Sequence, residues 1–403
     1  MQDFINYKIF LYIMRKIFKL ALSAACVIGM TACNNGGTDV TSDKEEALQR
    51  VVPPYVNNTV IATYSAMADE GLKLLASTQQ IADAVEAGTD YTTVMIDADT
   101  HWRAMRKHWE QSEAFLFGPV DAHSIDPHID SWPLDFNAMN ALLSNVAQMQ
   151  NIEEAGIAYV RGALGPTLQG FHACEYLLFD SEIRDGRAVG TGRPHAANLT
   201  KAQSVYLLGV VSDLVEQACV LEYCWKGEIS DAKMKVLEDA DIEPWNDRYG
   251  EQLINAGKAG SVYVSYQAVA EEIIAGCVEI AGEVADLKMG NPYISSTPEQ
   301  RDYIESPYSC TSTIDFADNI RSIQHSYEGT LAGDYSVSNY VYSQDAELDA
   351  SVRKAIQEAI ETIEKIDDFE NTAQKNPQVK AAIDKVAALE DLLNDEVMPL
   401  LSK

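Results

Sequence analysis

The sequence predicts an all-α fold of two helical-bundle domains. Three observations predict it. Apolar residues recur at helical spacing along most of the chain from Glu45 onward. Glycine and proline are sparse, at 23 and 13 of 403 residues, so long elements run uninterrupted. No set of short alternating polar–apolar runs marks a sheet. With 47% hydrophobic and 23% charged residues the chain has ample apolar material for a core, which excludes wholesale disorder. The balance of 30 Lys and Arg against 61 Asp and Glu gives a net charge of −31, a field that repels phosphate backbones. Nucleic acid is thereby excluded as a partner, and cations or cationic surfaces are favoured.

The N-terminus reads as a processing segment. Residues 15–33, RKIFKLALSAACVIGMTAC, place Arg15, Lys16 and Lys19 before an apolar run from Leu20 to Met30. That run is shorter than a membrane span and fits the apolar core of a secretion signal. Met14 opens it directly and is the expected start. The ending Thr31-Ala32-Cys33 resembles a bacterial lipobox, which implies a signal peptide over 1–32, lipidation of Cys33 and attachment to the membrane of the cell envelope. The polar, glycine-containing stretch 33–46 then serves as a tether. Five cysteines remain beyond it, at 174, 219, 224, 277 and 310, with no CxxC pair, which argues against zinc-ribbon and thioredoxin-like readings.

The body follows as helices. An apolar stripe at 61, 64, 68, 72 and 75 marks the first, and 89–117 a second, bounded by Gly88 and by Gly118-Pro119. The proline-rich stretch 119–134 reads as a structured loop, 135–150 and 153–162 as shorter helices, and 165–179 as a helix opened by Gly165-Pro166. Residues 181–197 contain three glycines and a proline without apolar period, and the domain boundary is expected there, separating an N-terminal domain, 47–190, from a C-terminal one, 191–403. Beyond it, 202–225, 262–289, 313–328, 346–369 and 377–401 read as helices, with 291–307 irregular.

Three histidines have an acid three residues ahead: His123…Asp126, His172…Glu175 and His325…Glu328. On a helix such a pair shares a face, so imidazole and carboxylate can meet one metal or one proton. Chance supplies such pairs in so acidic a chain, and context must choose. His172 sits in the apolar run GFHACEYLLF, where an ionised Glu175 is costly unless partnered, and Gly170 leaves room for a ligand or another backbone. A buried His–Glu bond joining two helices fits the same facts. In the second helix Trp102, Arg106, Trp109 and Glu113 fall on one stripe. Arg106 can pair with Glu110, which leaves Glu113 for a metal, a buried histidine or another arginine.

Several of these motifs together resemble the imelysin-like family. They are Gly170-Phe171-His172-Ala173-Cys174-Glu175 (GxHxxE), the tryptophan–arginine helix ending Ser112-Glu113-Ala114-Phe115, and Ile129-Asp130-Ser131-Trp132-Pro133-Leu134. Glu305-Ser306-Pro307-Tyr308-Ser309, Asp315 to Ile320 and Tyr327-Glu328-Gly329 match in the second half. The resemblance implies an imelysin-like pair of helical bundles with a site near their junction, envelope location and a link to iron acquisition, through metal or through an iron-uptake partner protein. By motif position it makes His172, Glu175 and Glu113, with Asp130, the metal-site residues. Without a cation, close carboxylates there raise one another's pKa, so one holds a proton or recruits Arg103 or Arg106. The resemblance places Tyr308, Ser309, Ser312, Asp315 and Asn319 close by. Residues 312, 315 and 319 share a helix face with Ser312 as candidate N-cap, so capping alone also accounts for them.

The family's metallopeptidase label sits poorly with this sequence, which has no HExxH and offers His172 no second histidine within a turn. One imidazole among carboxylates suits iron, manganese or zinc. The expectation is therefore an envelope-anchored, iron-linked binding protein. A metallopeptidase and a metal-free ligand-binding or protein-interaction module are the alternatives.

Overall fold

The computed structural model describes residues 43–184, 187–196 and 198–403. The expected signal segment 1–32 and the expected lipidation site Cys33 lie outside the described residues. The first described element, α1 (Asp43–Pro54), takes in the end of the predicted tether, and acids in its first turn complement the helix dipole. Pro53 and Pro54 cannot donate backbone hydrogen bonds, and the chain passes from α1 through a π-helical turn, Tyr55–Ile61, into α2 (Ala62–Ala87). Next comes α3 (Thr92–Glu110), which packs along α2. It stops seven residues short of the predicted end, because the chain tightens into a 3-10 turn at Glu113–Phe115. Glu113 thus leaves the Trp102–Arg106–Trp109 stripe.

The helix bearing the GxHxxE motif is α4 (Gly170–Leu178); the preceding Pro166–Leu168 is a separate 3-10 turn rather than its first turn. The expected irregular boundary is instead an antiparallel hairpin, β1 (Phe179–Arg184) with β2 (Arg187–Pro194). Strand pairing satisfies backbone groups without an apolar stripe, which is why hydropathy did not reveal it. The hairpin is further tied to the second half of the chain: Gly190 N–H donates to Pro307 O at 3.1 Å and Gly192 N–H to Tyr308 O at 3.1 Å.

The long helix α5 (Lys201–Lys226) opens on a Thr200–Gln203 capping box and closes at left-handed Gly227. It is long and apolar enough to cross a membrane, yet 83% of that window is buried, so it serves as the core helix of the bundle. Around it and beyond follow α6 (Tyr266–Glu283), α7 (Ser312–Glu328), α8 (Ala346–Ile363) and α9 (Pro377–Leu392). The predicted 262–289 helix is α6 plus a π turn, Val284–Lys288. One apolar core runs from Leu48 to Leu401, so the halves on either side of residue 190 share it, and Asp43–Lys403 cohere as a single unit.

Candidate functional site

The site begins with a backbone contact. Gly170 opens α4 with φ of +73°, and a Cβ there would stand 2.3 Å from Ile129 O. Only glycine allows both the conformation and the approach. The loop carrying Asp130 therefore closes directly on the first turn of α4. His172 Nε2 lies 3.1 Å from Asp130 Oδ1, and its Nδ1 lies 3.4 Å from Glu175 Oε2. Asp130 Oδ2 accepts from Trp109 Nε1 at 2.6 Å.

Arg106 holds the acids together. Its guanidinium reaches Asp130 at 2.5 Å, Glu110 at 2.6 Å and Glu305 at 2.8 Å, with Asp315 at 3.9 Å, and it lies over the Phe171 ring. Lys288, from the π turn after α6, supplies the second cation, 3.1 Å from Glu305 and 3.8 Å from both Glu110 and Glu113. Arg106, Glu110, Lys288 and Glu305 are all buried. Buried acids at such density require partners of this kind. The pairing of Arg106 with Glu110 was legible from their i, i+4 spacing. Lys288 and Glu305 were not assigned to the site. A lone lysine in an apolar helical run, and an acid inside the matched 305–309 motif, were the available signals.

Glu175 faces two ways. One carboxylate oxygen meets His172, and the other accepts from Tyr308 N–H at 2.9 Å, Ser309 N–H at 2.7 Å and the Ser309 hydroxyl at 2.8 Å. It positions the imidazole and anchors the loop before α7. That loop is held from its other side by β2 and by Arg103, which donates to Ser309 O at 3.2 Å and Gly192 O at 3.0 Å. Trp102 donates to Phe171 O at 3.3 Å, fixing α3 to α4. Ser312 is the first residue of α7 rather than its cap: Thr311 precedes it, the Ser312 hydroxyl donates to Glu305 O, and its N–H donates to Glu370. Asp315 accepts from Ser306 and Thr311, and Asn319 Nδ2 donates to Glu110 at 2.5 Å. The three shared-face residues thus reach the junction network through Glu305, Arg106 and Glu110.

Charge states follow from this packing. Burial pushes the His172 imidazole down, but Asp130 and Glu175 outweigh it and raise the group to about 9, so the ring is an imidazolium at neutral pH. Burial opposes ionisation of Asp130, yet Arg106 and His172 hold it far below the usual carboxylate range. Glu110 and Glu113 go the other way. Burial raises both well above their ordinary value, with Arg106 opposing for the first and Lys288 for the second. Burial likewise lifts Asp315 to about 7 against the pull of Arg106.

Two groupings of ligand atoms result, Asp130–His172–Glu305 and Glu110–Glu113–Asp130, each with its atoms within 4.8 Å of one another. Asp130 belongs to both. Glu175 belongs to neither, and Glu113 does not share a grouping with His172, so the predicted trio His172–Glu175–Glu113 is replaced by one centred on Asp130. A cavity of about 190 Å³ opens beside them, lined by Glu113, Asp126, Asp130, Glu283, Lys288 and Glu305 with Trp132 and Tyr303. A larger depression of about 410 Å³ near Lys107 and Arg321 holds ordinary ion pairs, Arg321 with Asp318 and Glu364, and is lined by none of the grouped junction ligands. His172 Nε2 and Glu305 Oε2 are buried without a hydrogen bond, Nε2 being near Asp130 but poorly aligned. One nitrogen and several carboxylate oxygens, two atoms of them unsatisfied, form a donor set that fits iron, manganese or zinc.

The helical fold and its acid–histidine junction define the class of protein. The Imelysin (Peptidase M75) family profile matches residues 60–395, and the chain belongs to that family. Iron-regulated protein A of Synechococcus elongatus is 25% identical over 361 residues, covering 87% of this chain and 86% of that protein. A crystal structure described as an iron-regulated protein A precursor from Parabacteroides distasonis superposes with a TM-score of 0.68 at 25% identity, covering 92% of this chain and 99% of the other. An imelysin-like protein from Psychrobacter arcticum shares the fold, with a TM-score of 0.61 at 11% identity over 93% of this chain and 98% of its own.

Proposed function

We propose that this imelysin-family chain is a lipoprotein of the bacterial envelope, held to the membrane through Cys33, that binds a divalent cation as cargo in iron acquisition. The observation that carries the reading is the pair of unsatisfied buried atoms, His172 Nε2 and Glu305 Oε2, flanking Asp130 beside an acidic cavity. The names of two relatives, both iron-regulated proteins, support iron as the ion and an iron-uptake protein as the partner. In this reading the ion takes its ligands from Asp130, His172 and Glu305, with Glu113 lining the approach. Because His172 carries a proton without metal, binding releases it. Lys288 and Arg106 must yield part of their contact with Glu305 and Asp130, which keeps the ion exchangeable.

Hydrolysis is favoured less. Glu175, the motif's acid, is engaged by the Tyr308 and Ser309 donors and does not line the cavity as a base for water. A metal-free module is the second reading, favoured by the compensation that Arg106 and Lys288 already give the acids. Elemental analysis of the full chain recovered from membranes separates these. A content of iron, manganese or zinc lower by about one equivalent in a folded Asp130→Asn variant than in wild type supports the cargo reading, and equal content in both refutes it. Release of Cys33→Ser from the membrane checks the anchor.

A further inference from the structure

A second cluster of ligand-type side chains lies outside the junction. His123 ends the short helix Pro119–Ala122, Cys224 sits in the last turn of α5, and Asp247 lies in the loop before Tyr249. Three separate segments bring His123 nitrogen, Cys224 sulfur and an Asp247 oxygen within 4.8 Å of one another. His123 Nε2 is 2.7 Å from Asp247 Oδ2, and the imidazole stacks flat on Trp245 with ring centres 3.9 Å apart at 6°. Cys224 Sγ is 3.3 Å from Trp245 O. The ring is therefore fixed on one face by an aromatic and on one edge by an acid, and the thiol points toward the same place.

The frame around the cluster is rigid. Gly118 starts the short helix with φ of +67°, and a Cβ there would fall 2.3 Å from the Tyr249 ring, so the His123 segment and the Asp247 segment seat directly on each other. Access is asymmetric. The side chains of His123 and Asp247 are 15% and 30% exposed, while Cys224 is buried. An ion can enter from solvent past the acid and the imidazole and meet the sulfur last.

We propose that His123, Cys224 and Asp247 form a second cation site, which takes a zinc-like divalent ion through one imidazole nitrogen, one thiolate and one carboxylate oxygen. The sulfur sets the selectivity. Magnesium and calcium prefer all-oxygen ligation, whereas a thiolate with an imidazole selects zinc or cobalt. Ligand bonds of ~2.0–2.3 Å in a tetrahedron require donors roughly 3.3–3.8 Å apart, so the His123–Asp247 pair, now 2.7 Å apart, opens slightly to admit the ion and Cys224, within 4.8 Å, adjusts to meet it. On binding, the Cys224 thiol releases its proton to solvent and its electron pair forms the metal–sulfur bond. His123 gives up to solvent the Nε2 proton it shares with Asp247, holds its remaining proton on Nδ1, taken from solvent where the ring starts neutral, and binds through Nε2, while the Asp247 oxygen exchanges the imidazole for the ion. The two charges of the cation cancel thiolate and carboxylate, so a half-buried site ends neutral. Three protein ligands leave a fourth position for water or a donor from a partner.

Neither junction grouping of ligand atoms includes a sulfur, which makes the two sites separable by spectroscopy. Co²⁺ titrated into the metal-stripped full chain should give a near-ultraviolet sulfur-to-cobalt charge-transfer band that saturates near one equivalent and is displaced by Zn²⁺. The band should persist in His172→Ala and vanish in Cys224→Ser, and Co²⁺ affinity should fall roughly tenfold or more in Asp247→Asn. Asp247 is in a partly exposed loop, so that variant keeps the test usable if the buried Cys224→Ser does not fold. Absence of the band in wild type, or an undiminished band in Cys224→Ser or undiminished affinity in Asp247→Asn, overturns the proposal. Failure here leaves the junction reading intact, because that reading is tested by variants that do not touch Cys224.

Discussion

The junction and the rim cluster gather similar residue types and handle their charge in different ways. At the junction, carboxylates are buried and are met by Arg106, Lys288 and a protonated His172. At the rim, one partly exposed carboxylate pairs with one histidine, and solvent supplies the rest. A buried acidic site must carry its own compensating cations, and those cations then compete with any ion it binds. A site at the edge needs none, and can let a thiolate set its selectivity. The difference also separates stability from binding: junction substitutions should affect both, substitutions of the partly exposed His123 and Asp247 chiefly binding.

Breaking the junction at its hub should cost most. Arg106→Ala leaves buried acids without their main partner and should destabilise by about 3–5 kcal/mol in denaturant unfolding. Arg106→Lys, which keeps charge but loses the planar fork, should recover only part of this. Comparable losses on Arg106→Ala and His123→Ala would erase the contrast between the two regions.

The pH dependence of stability comes next. The His172 group is raised to about 9 in the folded chain against an ordinary 6.5. Its contribution is therefore fully present below pH 6.5 and is lost as pH rises through 9, an effect on the order of 3 kcal/mol. Unfolding of metal-stripped protein across pH 6–9.5 should show this decline, and His172→Gln should flatten it. Stability that rises over that interval in wild type would remove the imidazolium from the account.

Gly170→Ala should cost about 1–3 kcal/mol, from the left-handed backbone and the clash with Ile129 O. It should also weaken cation binding by displacing Asp130. Smallest is Glu175→Gln, which keeps an acceptor for Tyr308 and Ser309 but removes its charge. A loss of about 1–2 kcal/mol, with faster hydrogen exchange at the 308 and 309 amides, is expected. Unchanged exchange would mean that Glu175 does not anchor that loop.

Helical period made the long elements legible, and burial of the GxHxxE run made His172 and Glu175 stand out. Gly170 was recognised as a place of close approach, and the approaching group proved to be the Ile129 backbone. Other features depend on pairings that no local pattern encodes. The 179–194 hairpin is held by backbone bonds, to which hydropathy is blind. Lys288 and Glu305 meet α3 only after the chain has folded back across nearly 200 residues, as the separation of Arg106 from Glu305 shows. His123 had an acid three residues ahead, yet its recorded ion pair is with Asp247, 124 residues away. Of the three such spacings, His172–Glu175 is a contact within its own motif. Glu113 was expected to stay on the α3 stripe, but the helix ends at Glu110, and the turn carries it toward Lys288.

The proposed binding of a divalent cation by Asp130, His172 and Glu305 requires displacement of the proton on His172. Calorimetric titration of Mn²⁺ or anaerobic Fe²⁺ into metal-stripped protein at pH 7, in two buffers of different ionisation enthalpy, tests it most directly. The account predicts one ion bound at the junction with release of about one proton, and a loss of roughly tenfold or more in affinity in folded His172→Ala. Equal affinity in wild type and His172→Ala, or binding without proton release, would contradict it.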